Sequence, residues 1–149
     1  MKQKLIIEAE AEGIRTLKAH ESMLLPIKVV CTQCHDIYPN LIQLEPNEKY
    51  SLKNARGEAN LILTCKNCKK DANIDIDNLL EYASEEKEPC LLVFTIATLE
   101  CRGCRIIEFI PIGPYIINTV FEAELEDDWV DVLDNGECCS LLNLKGIVQ

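Results

Sequence analysis

Residues 59–68 read Ala-Asn-Leu-Ile-Leu-Thr-Cys-Lys-Asn-Cys, a short apolar run that ends in two cysteines two residues apart. Such a run predicts a β-strand that delivers Cys65 and Cys68 at its end. A second stretch has the same design: Pro26-Ile-Lys-Val-Val leads into Cys31-Thr-Gln-Cys34. A C-x-x-C turn presents two thiolates to one side of a metal ion, and two such turns close the four-coordinate shell that structural Zn²⁺ prefers. The expected ligands are therefore Cys31, Cys34, Cys65 and Cys68. The 30 residues between Cys34 and Cys65 exceed the roughly 15–20 of a zinc ribbon, so a hairpin must be inserted between the turns.

Four cysteine ligands leave no position for water, which suits a metal that folds the protein and does not catalyse. Structural zinc contributes roughly 10–16 kcal/mol, comparable to the whole stability of a domain. Loss of the metal is expected to unfold at least the first half. A tetrathiolate zinc carries a charge of −2, and Lys66, Lys69 and Lys70 stand where they offset it. His35 is expected in the exposed turn and His20 on the surface, neither as a ligand.

Cys101-Arg-Gly-Cys104 repeats the spacing, with Cys138 and Cys139 as the only partners available to it. Three readings stand open: a buried thiol pair, a second zinc with the vicinal cysteines, and a redox dithiol whose pKa Arg102 and Arg105 lower. Cys90, in Pro-Cys-Leu-Leu-Val-Phe, reads as a small core residue. No Gly-rich phosphate loop or G-x-S-x-G elbow is present, and two histidines are few for acid–base work.

Working outward, strands are expected near Lys4–Ala11, Met23–Cys31, Tyr38–Leu44, Glu58–Cys65, Asn73–Ile76, Leu91–Glu100, Ile106–Ile110, Thr119–Leu125 and Trp129–Leu133. Asn54-Ala55-Arg56-Gly57, Pro46-Asn47 and Asn135-Gly136 are turn signals. Asp77–Glu88 reads as the one helix, capped by Asp77 or Asn78 and stopped by Pro89. A shift of 70 residues sets Cys31 on Cys101, Cys34 on Cys104 and Cys68 on Cys138, an indication of internal repetition. The fold class is mainly β: two related β-rich halves, 1–74 and 75–149, packed as a single domain with few short helices. The first half is organised by the tetrathiolate site.

The 149 residues are 48% hydrophobic and 27% charged, the profile of one globular domain. The longest uncharged run, Phe109–Phe121, is broken by Pro111, Gly113 and Pro114 and is too short to span a bilayer. Glu8 comes too early for the apolar segment of a secretory signal. Nine cysteines without an export signal indicate a reducing, cytoplasmic setting. The net charge of −10 is uneven: residues 1–74 hold eleven basic and nine acidic residues, and 75–149 hold four and sixteen. That balance opposes nucleic-acid binding, which depends on clustered cations. The most acidic stretch, Glu122–Asp134 (EAELEDDWVDVLD), is either a solvated strand edge that anchors Trp129 or a docking face for a basic partner.

Several strings together are similar to a known family. The chain resembles the CXXC motif-containing zinc-binding proteins, small eukaryotic proteins, through KVVCTQC at 28–34, ARGEANLILTCKNC at 55–68, ECRG at 100–103 and DDWVD at 127–131. The resemblance spans essentially the whole chain. It implies that Cys31, Cys34, Cys65 and Cys68 correspond to zinc ligands in a mainly β protein with two related halves around one zinc. The family pattern does not require Cys104, Cys138 or Cys139, so a second zinc would be a property of this chain alone.

The expected function is a cytoplasmic, monomeric, non-catalytic zinc-binding scaffold whose acidic second half meets protein partners, without nucleic acid or membrane. The competing expectation is a thiol-based metal-handling or redox protein using Cys101, Cys104, Cys138 and Cys139.

Overall fold

Along residues 2–12, Leu5, Ile7, Ala9 and Ala11 are buried while Lys4, Glu10 and Glu12 are exposed. A period of two puts one face of a strand in the core and the other in water. This strand, β1 (Lys2–Glu12), lies at the centre of the protein. The structure is a computed structural model that describes residues 1–53, 55–79, 82–83 and 91–149.

The further strands in chain order are β2 (Thr16–Cys31), β3 (Ile42–Leu44), β4 (Tyr50–Ser51), β5 (Glu58–Ala59), β6 (Leu61–Thr64) and β7 (Asp71–Leu79). They continue with β8 (Tyr82–Ala83), β9 (Leu91–Arg102), β10 (Cys104–Phe109), β11 (Gly113–Ile117), β12 (Phe121–Ala123), β13 (Trp129–Val132) and β14 (Cys138–Val148). One six-stranded sheet runs β13-β14-β1-β9-β7-β6. A second runs β10-β2-β11-β12, with β3 and β8 also paired to β2, and β4 and β5 form a small hairpin. Both large sheets contribute to one apolar core, which includes Leu5, Ile7, Leu25, Ile27, Phe94 and Tyr115. Each sheet contains strands from both 1–74 and 75–149, so the two segments share that core.

β2 serves both ends of the second sheet. Its first part pairs with β11, setting Leu17 opposite Ile117, and its last part pairs with β10, setting Cys31 opposite Cys104. Gln3 stitches the sheets together. It is buried, its Nε2 donates to the Ile106 carbonyl at 3.0 Å, and its Oε1 accepts from the Ile106 N–H at 2.9 Å. A side-chain amide thus stands in for one residue of a neighbouring strand.

One expectation is corrected. No helix occurs among the described residues: Asp77–Leu79 completes β7, and residues 82–83 form β8 against Thr16 and Leu17. The rest of the expected 77–88 helix lies outside the described residues, as do Cys90 and Asn54. Pairing decides against the helix, because Leu79 continues the β7 ladder opposite Ala97 of β9, and that register outweighs local propensity. The C-terminal stretch, for which no element was expected, forms β14, a long strand between β13 and β1. Its sequence, Cys-Cys-Ser-Leu-Leu-Asn-Leu-Lys-Gly-Ile-Val, lacks the alternation of a half-buried strand.

The turn signals are present. Leu52 N–H donates to the Gly57 carbonyl at 3.1 Å, Glu48 to Glu45 at 3.2 Å, and Gly136 to Leu133 at 2.8 Å.

Candidate metal centre

The two C-x-x-C turns are built alike. Cys31 ends β2 and Cys65 follows β6. Cys31 N–H donates to the Asp36 carbonyl and Cys65 N–H to the Lys70 carbonyl, both at 2.9 Å. In return His35 N–H donates to Cys31 at 3.0 Å and Lys69 N–H to Cys65 at 2.9 Å. His35 and Lys69 share φ 62°, a left-handed conformation that closes each loop. Both first cysteines are buried, and Cys34 and Cys68 are partly exposed.

The turns face each other. The Cys31 and Cys68 sulfurs are 3.7 Å apart, those of Cys34 and Cys65 3.6 Å, and all four lie within 4.8 Å of one another. A tetrahedral ion with metal–sulfur bonds near 2.3 Å has sulfur–sulfur edges of about 3.8 Å. The donor set therefore fits a tetrahedral, thiophilic ion with every ligand supplied by the chain. The electrostatics agree. The Asn67 side chain, assisted by the Asp36 N–H, holds the Cys34 thiol down to about 6. At Cys68 the Lys70 N–H acts in the same direction, but desolvation and the crowding of the other sulfurs outweigh it and push that thiol up to about 11. Four sulfurs this close resist shared ionisation, and a divalent cation relieves the conflict. Lys66, Lys69 and Lys70 are exposed beside the second turn. Asn67 is a site residue that the spacing did not single out, although an amide inside a C-x-x-C turn is placed to donate to a sulfur.

His35 is exposed in its turn. His20 sits away from the sulfurs, with Nδ1 2.8 Å from Ser22 Oγ and Nε2 3.4 Å from Glu122 Oε1.

Cys101 and Cys104 flank the β9–β10 turn, and both are buried. This turn, which carries the chain from one sheet to the other, backs onto the first C-x-x-C turn: Thr32 N–H donates to the Gly103 carbonyl at 3.2 Å. Gly103 has φ 74°, and a Cβ there would lie 2.8 Å from the Asp71 carbonyl oxygen, which accounts for the glycine. The two thiols share a hydrogen bond that lowers Cys101 and raises Cys104. The N-terminal amine adds to the lowering at Cys101, and the exposed Arg102 and Arg105 take no part in it.

Cys138 and Cys139 lie at the opposite end of the molecule. Cys101 N–H donates to the Met1 carbonyl, whereas the Cys138 carbonyl packs on Gly13. All of β1 intervenes, which at about 3.3 Å per residue separates the pairs by roughly 30 Å. Cys138 is exposed and Cys139 buried, and as adjacent residues of one strand they turn to opposite faces. A second zinc shared by these four cysteines is ruled out by distance. Among the described residues, Cys31, Cys34, Cys65 and Cys68 form the one group of three or more metal-binding side chains close enough to share an ion.

Fold and site together define a class: small all-β proteins in which two strand-end C-x-x-C turns bring four thiols to one point. The chain belongs to the family described as CXXC motif containing zinc binding protein, eukaryotic, which residues 4–146 match. A UPF0587 protein of Schizosaccharomyces pombe is 38% identical, over 95% of this chain and 93% of that protein. A CXXC motif containing zinc binding protein of Mus musculus is 26% identical, over 85% and 84% respectively. The crystal structure of C1orf123 superposes with a TM-score of 0.87 at 25% identity, covering 100% of this chain and 99% of that one. A hypothetical protein from Plasmodium falciparum shares the fold, with a TM-score of 0.84 at 21% identity over the same shares.

Proposed function

We propose that Cys31, Cys34, Cys65 and Cys68 hold a structural Zn²⁺, and that the protein is a non-catalytic, cytoplasmic scaffold whose acidic second half engages protein partners. The observation that carries this is the closed set of four sulfurs, with two pairs at 3.6 and 3.7 Å. When bound, the ion supplies cross-linking of the two turns and charge neutralisation, and no coordination position remains for a substrate. The chain's own part is to orient the thiolates. The paired turn hydrogen bonds pre-form each loop, and the N–H groups of Asp36 and Lys70 point at the sulfurs of Cys34 and Cys68.

The burial of Cys101, Cys104 and Cys139 supports a scaffold over thiol-based metal handling or redox chemistry, which needs accessible thiolates. The test is native mass spectrometry of protein purified without added metal, with free thiols counted after denaturation. One zinc and nine reduced thiols are expected. A second metal, or a disulfide within residues 75–149, would overturn the scaffold in favour of thiol chemistry.

A further inference from the structure

The sheet β13-β14-β1-β9-β7-β6 ends at β13, and one edge of this strand pairs with nothing among the described residues. Leu133 N–H donates to the Glu137 carbonyl at 2.8 Å. By the alternation of an antiparallel pair, the N–H and C=O groups of Val130 and Val132 therefore face away from β14. Val120, Val130 and Val132 are 65%, 63% and 53% exposed, which with Met1 makes them the most exposed large apolar residues described. Val120 and Val132 share a hollow of about 500 Å³ at the far end of β13, and Asp127 and Asp128 line another of about 420 Å³ at its start.

Acids surround this edge. Among the described residues no cation pairs with Glu124, Glu126, Asp127, Asp128, Asp131 or Asp134. Asp131 instead accepts the outward Val132 N–H at 2.7 Å, which guards the edge against casual pairing. A second copy of the chain is a poor occupant, because apposed β13 edges would bring two such acidic segments together.

We propose that the free edge of β13 is a docking site for an extended segment of another protein in which basic and small apolar residues alternate, added as a further strand beside Val130 and Val132. The backbone of that segment supplies partners for the outward N–H and C=O groups. Its apolar side chains cover the valines, and its cations meet Asp131 and the acids at both ends. An incoming carbonyl takes over the Val132 N–H, releasing the Asp131 carboxylate to a cation. This inference rests on the reading that the acidic half binds protein partners and names the site and the kind of partner. β13 lies beside the Cys138 end of β1, so docking leaves the metal turns untouched.

The probe is the acetylated, amidated peptide Lys-Val-Lys-Val-Lys-Val-Lys, compared with the same peptide N-methylated on alternate backbone nitrogens. Each is titrated into the metal-loaded full chain labelled with ¹⁵N. The expected result is shifts centred on Val130 and Val132, at least tenfold slower exchange of their amide protons, and at least tenfold weaker binding of the methylated peptide. Asp131→Lys and Val130→Pro should each weaken binding at least tenfold with metal content unchanged. Proline is placed at Val130 because its N–H faces away from the ladder. Equal binding of both peptides, or shifts elsewhere on residues 75–149, would overturn the edge site while leaving an acidic docking face. No binding of either peptide at low salt would overturn both.

Discussion

The sulfur of Cys31 lies 3.7 Å from that of Cys68, 37 residues further along the chain. Contact across that distance joins β2 of one sheet to the β6–β7 hairpin of the other. A metal at this point is a cross-link between sheets as well as within a loop. Cys68→Ser should therefore abolish metal retention and remove most of the cooperative melt, because structural zinc contributes roughly 10–16 kcal/mol. Cys104→Ala, beside Cys31 in the ladder, should keep the metal. Metal content by mass spectrometry together with a thermal melt decides this, and a Cys68→Ser protein with full metal and an unchanged melt would refute the ligand assignment.

Gln3 makes two buried hydrogen bonds to Ile106. Gln3→Leu keeps the volume but leaves a buried N–H and C=O without partners, at a cost of about 1–3 kcal/mol. Denaturant unfolding should show a lower midpoint with an unchanged slope, and the metal should be retained. An unchanged midpoint would mean that the Ile106 groups find other partners.

Tyr115 is fully buried and its hydroxyl has no hydrogen-bond partner among the described residues, so burial pushes its pKa far up. Tyr115→Phe removes an unpaired polar atom and should leave stability equal or raise it by about 1 kcal/mol. A clear fall in melting temperature would show that the hydroxyl is hydrogen-bonded in solution.

Among the eight described cysteines Cys138 is the most exposed, Cys34 and Cys68 are half-buried, and Cys101, Cys104 and Cys139 are buried. Brief iodoacetamide treatment of the metal-loaded protein, followed by peptide mapping, should modify Cys138 and spare those three. Rapid labelling of Cys101 and Cys104 would show that the β9–β10 turn opens readily and would revive the redox alternative.

The metal turns are legible in the sequence because their chemistry is local. Each of these C-x-x-C pairs carries its own hydrogen bonds, from Cys31 to Asp36 and from Cys65 to Lys70, so spacing together with a preceding apolar run marks the four cysteines that cluster. β1 and β9 are legible because apolar residues repeat along them. β14 is not, since its opening Cys-Cys-Ser-Leu-Leu breaks the alternation that β1 keeps, although both are inner strands. The expected helix over 77–88 failed for a related reason. Asp77 and Asn78 look like caps, but Asn78 pairs with Thr98 in the β7–β9 ladder and Asp77 sits at a register shift within it.

By itself, then, the sequence determined the two C-x-x-C pairs that the fold brings together, the β class and the concentration of acid in the second half, all of which follow from residue type and short spacing. Tertiary structure alone decided which distant groups meet. It set Cys104 against Cys31, carried Cys138 and Cys139 to the other end of β1, and left one edge of β13 unpaired among the described residues. The physical reason is register: strand pairing is specified by burial summed over whole faces, and a pattern within one strand does not name its neighbour.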